Sequence, residues 1–344
     1  MHKNLRRLFF LFACYCLLPG CYTETPSAHT RNQPRLGVHL FVHNNKALDD
    51  LRTELPRLAG LGVNALILEI GYDFNFKSRP EMASRGGITR EHAKALAAEA
   101  RKYRIQLIPE MNCLGHQSWR QSDGGLLARH PEFAEPTPAV TNAQTSYARS
   151  WCPLRKDVNP VVFSLIDELA EAFDATAFHV GMDEVFLIAS DNCPRCKGKN
   201  PAELFARAVN DLHAHIVGRK KMEMQMWGDR LLNSKAMHYS IWESSGNHTD
   251  GAIDLIPKDI VICDWHYGKQ ENYPSVPLLL EKGFRVWPAG WQPLEAAKAF
   301  SAYSLQQRKS NPNVVGYLST VWSKAKIKDV ADWPPVVEVM KEWK

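Results

Sequence analysis

The chain has 344 residues and a formal charge of +5. Lys3, Arg6 and Arg7 supply three of the positive charges, leaving about +2 on a body whose acidic and basic residues alternate, with no basic face for nucleic acid. Hydrophobic residues make up 45% of the sequence, enough to fill the core of one large domain.

In chain order, the basic start leads into an apolar run over 8–18, too short to span a bilayer as a finished helix, so 1–20 reads as a signal peptide. Leu18-Pro19-Gly20-Cys21 resembles a bacterial lipobox, in which the cysteine is diacylated and becomes the new N-terminus; ordinary secretion is the alternative. The segment 21–34, rich in Thr, Pro, Ser and Asn, reads as a flexible tether. The expected product is an exported protein, lipid-anchored on the periplasmic or cell-surface side of a bacterial membrane. No other apolar run is long enough to cross a membrane.

From residue 35 onward, short apolar segments alternate with helical patterns: 37–42, 63–70, 105–109, 177–180, 222–227, 260–265, 284–287 and 314–318. Asn159-Pro160 reads as an N-cap followed by a first-turn proline, and Val162, Leu165, Ile166, Leu169 and Phe173 then share one helical face. Asn200-Pro201 repeats the signal ahead of Phe205, Val209, Leu212 and Ile216, and Thr89 caps a third helix. Eight strand and helix alternations predict a (β/α)8 barrel over 35–344, with a doubly wound open sheet as the rival. No glycine-rich phosphate loop follows the first strand, and the long loops after strands two, three and four fall at one end, the face where barrel active sites sit.

The string His179-Val180-Gly181-Met182-Asp183-Glu184-Val185 falls at the end of the fourth strand. Adjacent carboxylates repel, so a fold retains them in one site where their environments differ; a solvated acidic pair is the plainer reading. Upstream lies Ile108-Pro109-Glu110-Met111-Asn112-Cys113-Leu114-Gly115-His116, and downstream Trp227-Gly228-Asp229, Asp264-Trp265-His266-Tyr267 and Val321-Trp322-Ser323 occupy the ends of strands five, six and eight. Together these resemble the family 20 glycoside hydrolases, the β-N-acetylhexosaminidases, over about residues 35 to 325. Asn112 stands where the family has Asp, and Leu114 where it has Pro.

The resemblance implies removal of terminal N-acetylhexosamine, with the substrate's 2-acetamido oxygen as nucleophile and an oxazolinium intermediate. Glu184 would then be the general acid and base, and Asp183 would hold the acetamido N–H. His116 is expected to bridge Asp73 and Glu184. Tyr267 is the expected donor to the acetamido carbonyl, with Asp264 and Trp265 close enough in sequence to blur the register. Trp227, Trp265, Trp287, Trp291 and Trp322 are candidates for the sugar platform or for core packing. Arg35 resembles the arginine that holds sugar hydroxyls, or caps the barrel floor. Lys324 replaces the carboxylate of the family's Trp-x-Glu, which implies altered recognition of the distal hydroxyls, unless Lys324 turns outward and Asp264 or Glu243 takes over. The small α/β domain that usually precedes the family's barrel is not expected.

Of eight cysteines, Cys14 and Cys16 leave with the signal and Cys21 carries lipid; Cys113, Cys152, Cys193, Cys196 and Cys263 remain, an odd number. Cys193-Pro194-Arg195-Cys196 resembles half a zinc knuckle, with Cys113 or Cys152 as possible partners, but export favours disulfides. The chemistry requires no metal and no other cofactor. A non-catalytic glycan-binding lipoprotein on the same barrel is the competing function, and a metal-dependent barrel hydrolase, lacking His-x-His spacing, the third.

Overall fold

The computed structural model describes residues 33–119, 122–137, 147–322 and 325–344. Eight parallel strands, β1 (Arg35–Phe41), β2 (Ala65–Glu69), β3 (Gln106–Cys113), β4 (Ala177–Gly181), β5 (Glu223–Trp227), β6 (Val261–Trp265), β7 (Arg285–Gly290) and β8 (Gly316–Thr320), form a closed barrel. β1 closes it by pairing with β8 from Arg35↔Gly316 to His39↔Thr320 and with β2 on its other side. All eight segments predicted from apolar runs are strands of this barrel. Their continuity follows from burial on both faces: one side of each strand meets the helices, the other the barrel interior.

The helices α1 (Asn45–Leu61), α2 (Arg90–Lys102), α3 (Val158–Ala172) and α4 (Pro201–His213) wrap the first half of the barrel. Thr89 and Asn200 cap α2 and α4 by accepting from the amides of His92 and Ala202, as their side chains predict. The start of α3 differs. Its N-cap is Asp157, and Asn159 lies inside the first turn, its amide donating to Asp211 Oδ2 at 2.9 Å and so tying α3 to α4. The predicted face of α3, Val162, Leu165, Ile166 and Leu169, is buried.

Between β5 and β6 the chain forms only short turns, Asp229–Leu231, Ser234–Met237 and Asp250–Asp254. The polar run Ser244-Ser245-Gly246-Asn247 has no apolar helical period to build on. The backbone there is satisfied instead by the fully buried Arg230, whose Nη2 donates to the carbonyls of Ile241 (2.9 Å), Trp242 (3.0 Å) and Ser244 (2.6 Å).

The floor of the barrel corrects the sugar-binding reading of Arg35 and bears out the floor and packing alternatives for Arg35 and Trp287. Arg35 opens β1 at the end opposite the long loops, where its guanidinium pairs with Glu223 at 2.7 Å; Arg285 meets the same carboxylate at 2.6 Å. Burial disfavours the Glu223 charge, but Arg35 and Arg285 override it and hold the group down to about 2. Trp287 is buried inside the floor, its N–H donating to Arg35 O at 3.1 Å. A Cβ on Gly37 would lie 2.3 Å from Trp287 Cζ2, so β1 needs glycine to make room for this indole. Arg35 and Trp287 are therefore parts of the floor, because each sits too early in its strand to reach the opposite face.

Candidate active site

β4 ends at Gly181, where φ is +64° and a Cβ would lie 2.1 Å from Asn112 Oδ1. Only glycine lets β4 approach β3 this closely in that conformation. Met182 (φ 75°) and Glu184 (φ 48°) are also left-handed, and this coiled exit turns the consecutive carboxylates of Asp183 and Glu184 into the same cavity. Beyond β3, Leu114 (φ 63°) and His116 (φ 52°) are left-handed as well, with Gly115 pressed against the Asp183 carbonyl. Non-glycine residues in this region cost about 1–3 kcal/mol each and cluster where a fold holds a functional geometry.

His116 Nε2 lies 3.2 Å from both Asp183 Oδ2 and Glu184 Oε2. Burial disfavours the imidazolium, yet the two carboxylates override it and raise His116 well above its ordinary value. Asp229, just beyond β5, accepts from the Glu184 amide at 2.9 Å and from Arg230 Nε at 2.7 Å on the same oxygen. Its other oxygen faces the Trp265 N–H at 3.4 Å. Burial pushes Asp229 up to about 6; Arg230 opposes this, while Asp183 and Glu184 add to it.

The cavity has a volume of about 510 Å³. Trp227, Trp265, Tyr267, Trp291 and Trp322, all anticipated, line it with Asp183, Glu184 and His116. Trp322 donates to the Tyr267 hydroxyl at 2.9 Å, fixing that oxygen. Asp183 Oδ1, Asn112 Oδ1 and Trp291 Nε1 are buried without a hydrogen-bond partner among the described residues, one donor and two acceptors placed around an apolar box.

Below the cavity, Trp227 donates to Glu110 Oε1 at 2.9 Å. His179 Nδ1 lies 2.9 Å from that oxygen, and His39 Nε2 lies 3.0 Å from Glu110 Oε2 and 3.1 Å from Glu69 Oε2. Burial disfavours the Glu110 charge, but His179 and His39 hold it well below the usual carboxylate range. His39 is lifted to about 9, its burial outweighed by Glu110 and then Glu69. This layer seats the Trp227 indole under the carboxylate pair.

Phe41, Glu69, Tyr72 and Tyr147 also line the cavity, and sequence reading named none of them. Asp229 was quoted in the Trp227-Gly228-Asp229 string without a role, and Arg230 was missed. The signal was the Asp-Arg pair directly after the Trp-Gly strand end, in a segment without helical period.

Other expectations need correction. Asp73 does not meet His116: it pairs with His43 at 2.7 Å, both groups well exposed, in a smaller recess beside the main cavity. The turn after β2 points Asp73 outward, and the carboxylate completing the His116 pair is Asp183. Asp264 lies behind the cavity wall, accepting from Ser275 at 2.7 Å and 3.3 Å from His266 Nε2. Its position next to Trp265 in β6 explains this, since neighbours on a strand face opposite sides. Glu243 faces His266 Nδ1 at 3.0 Å and does not line the cavity either. Lys324, like Cys21, the signal segment and most of the tether, lies outside the described residues. No helix among the described residues is long and apolar enough to cross a membrane.

Comparison with known proteins places this architecture. Residues 68–332 match the catalytic domain of glycosyl hydrolase family 20, and the chain belongs to that family. A lacto-N-biosidase from Bifidobacterium bifidum is 27% identical over 207 residues, covering 56% of this chain and 17% of the relative. Beta-hexosaminidase subunit A1 of Dictyostelium discoideum is 24% identical over 263 residues, covering 71% of the chain and 44% of the relative. Among solved structures, a Vibrio harveyi family 20 exo-β-N-acetylglucosaminidase complexed with N-acetylglucosamine superposes with a TM-score of 0.65 at 17% identity, covering 90% of this chain and 54% of that one. The chain thus spans less than half the length of these curated relatives.

Proposed function

We propose that this chain is a retaining glycosidase that removes terminal β-linked N-acetylhexosamine by substrate-assisted catalysis. The observation that carries the reading is the side-by-side entry of Asp183 and Glu184 into one aromatic cavity, both in reach of His116. In this scheme Asp183 accepts the acetamido N–H and stabilises the charge that develops as the acetamido oxygen attacks the anomeric carbon. Tyr267 donates to that oxygen, and tryptophans enclose the methyl group. Glu184 protonates the leaving oxygen and then takes a proton from the water that opens the oxazolinium ring. The beta-hexosaminidase activity named for relatives from Dictyostelium discoideum and Emericella nidulans supports a terminal N-acetylhexosamine glycan as substrate. A barrel that only binds glycans would have no need of the acid, yet both carboxylates line the cavity.

The test is release of p-nitrophenol from N-acetylglucosaminide, N-acetylgalactosaminide and plain glucoside. At least one acetamido substrate is expected to be cleaved faster than the glucoside by about a thousandfold or more, because the tethered nucleophile is absent from the latter. A cyclic thiazoline analogue of the sugar is expected to inhibit, and the first product to retain its anomeric configuration by proton NMR. Inversion would rule out attack by the acetamido group.

We extend the proposal to location: Cys21 is acylated and tethers the barrel to a bacterial membrane on its exported side. Cys21→Ser is then expected to move the protein from the membrane fraction to the soluble fraction and to abolish labelling by a palmitate analogue. Unchanged membrane association would refute the anchor.

A further inference from the structure

Away from the catalytic carboxylates, the loops that follow β3 and β4 meet at a buried cluster. Ala134 bridges Trp151 antiparallel, with the Glu135 amide donating to Ser150 O at 2.9 Å and the Cys152 amide to Phe133 O at 2.8 Å. This brings Glu135 and Cys152 to one side of the loop after β3. The loop after β4 supplies Cys193 and Cys196 from a tight turn in which the Lys197 amide donates to Cys193 O at 2.9 Å. One carboxylate oxygen of Glu135 and the three sulfurs all lie within 4.8 Å of one another, and all four residues are fully buried.

We propose that Glu135, Cys152, Cys193 and Cys196 bind a structural Zn²⁺ that clips the loop after β3 to the loop after β4. Tetrahedral zinc with sulfur at about 2.3 Å separates its thiolates by about 3.8 Å. Cys152 Sγ stands 3.7 Å from Cys193 Sγ and 3.3 Å from Cys196 Sγ, close to that spacing.

The carboxylate gives an independent sign. Glu135 Oε1 accepts from the Ser190 amide at 2.8 Å, whereas Oε2 is buried with no hydrogen-bond partner among the described residues. Leaving such an oxygen unmatched is costly, and a cation beside the sulfurs removes that cost. A disulfide would consume two of the three sulfurs and leave one thiol and this oxygen unserved; zinc uses all four groups.

The surroundings suit a thiolate site. Arg195 Nε donates to Cys152 Sγ at 3.2 Å, offsetting part of the net charge of −2 that three thiolates and a carboxylate leave on Zn²⁺. Binding releases the three thiol protons to solvent. Cys113 and Cys263 stand apart, each buried elsewhere and outside this cluster. This departs from the disulfides expected of an exported chain, because the fold gathers three sulfurs rather than two.

The clip acts on the catalytic face. The Trp151 amide donates to Leu114 O at 3.1 Å and the Gln117 amide to Arg149 O at 2.9 Å, joining the Cys152 segment to the turn that carries His116. The other side of the clip continues the loop that begins with Asp183 and Glu184.

The experiment is metal analysis of the full chain, purified without added metal and again after incubation with zinc chloride and gel filtration. The expected result is close to one zinc per chain, kept in Cys263→Ser and lost in Cys193→Ser. A chelator is expected to lower the Tm of the wild type by about 5 °C or more and to leave that of Cys193→Ser unchanged. Should the variant fail to fold, titration of the wild type with an organomercurial and a zinc-sensitive dye answers the question alone, with zinc released in step with modification of the cluster thiols. Less than about a tenth of a zinc per chain after incubation overturns the proposal. So does a disulfide within the cluster, detected by mass spectrometry of a non-reducing digest.

Discussion

Glu184→Gln is expected to lose about 10²- to 10⁴-fold in turnover on glycans whose leaving group is a sugar hydroxyl, and far less on aryl glycosides with activated leaving groups. The difference arises because a sugar alkoxide cannot depart without a proton, whereas p-nitrophenolate can. The amide keeps the shape of Glu184 and its main-chain bond to Asp229, so the backbone geometry that presents it survives. Asp183→Asn is expected to slow both substrate types, since holding and stabilising the acetamido group matters whatever departs. The measurement is kcat/KM for a p-nitrophenyl glycoside and a disaccharide in each variant. Equal losses for Glu184→Gln on both would assign Glu184 some role other than proton donor.

Arg230→Met is expected to destabilise the protein by about 3–5 kcal/mol, the cost of leaving a buried charge without its partner. Asp229 would lose the guanidinium at 2.7 Å, and the carbonyls of Ile241, Trp242 and Ser244 would lose their donor. In thermal unfolding the Tm is expected to fall by roughly 10 °C. The double variant Asp229→Asn with Arg230→Met should recover part of that loss, because the unmatched carboxylate is then gone. A fall of less than about 2 °C for the single variant would mean that water or another residue replaces the guanidinium.

The barrel was legible because a strand buried on both faces is written as an uninterrupted apolar run, and eight such runs at helix-length spacing leave few other topologies. The carboxylate pair was legible for a different reason: Asp183-Glu184 follows Gly181 at a strand end, and only the end of a strand can turn both neighbours inward. Trp227, Trp265 and Trp322 were found by the same logic, each at or just after the last residue of its strand. Position along the strand is also where the reading left alternatives open. Arg35 and Trp287 sit too near the entry end to reach the mouth, a matter of a few residues of rise that apolar patterning cannot resolve. Asp73 and Asp264 failed on direction: each has the right address in the chain but points away from the cavity. Arg230 was missed because its one local sign, an Asp-Arg pair after a strand end in a segment without helical period, does not by itself say that the arginine turns inward to serve a loop in place of a helix. The meeting of Glu135 with the cysteines depends on two loops more than forty residues apart, which spacing alone does not bring together.

The plugged floor of the barrel has a kinetic meaning. Trp287 and the Arg35, Glu223 and Arg285 cluster fill the end of the barrel remote from the cavity, so among the described residues the barrel axis offers no passage at that end, and in the proposed reaction sugar, leaving group and water would all pass the mouth. A sugar seated against Trp227 in the proposed reaction would have whatever it was attached to lying on the mouth side of it. Under the proposed mechanism the detached glycan would have to clear the entrance before water could reach the intermediate, and the monosaccharide would be the last to depart. In that scheme traffic through the mouth sets the sequence of release, and the freed sugar, on its way out, would stand where the next chain end must enter.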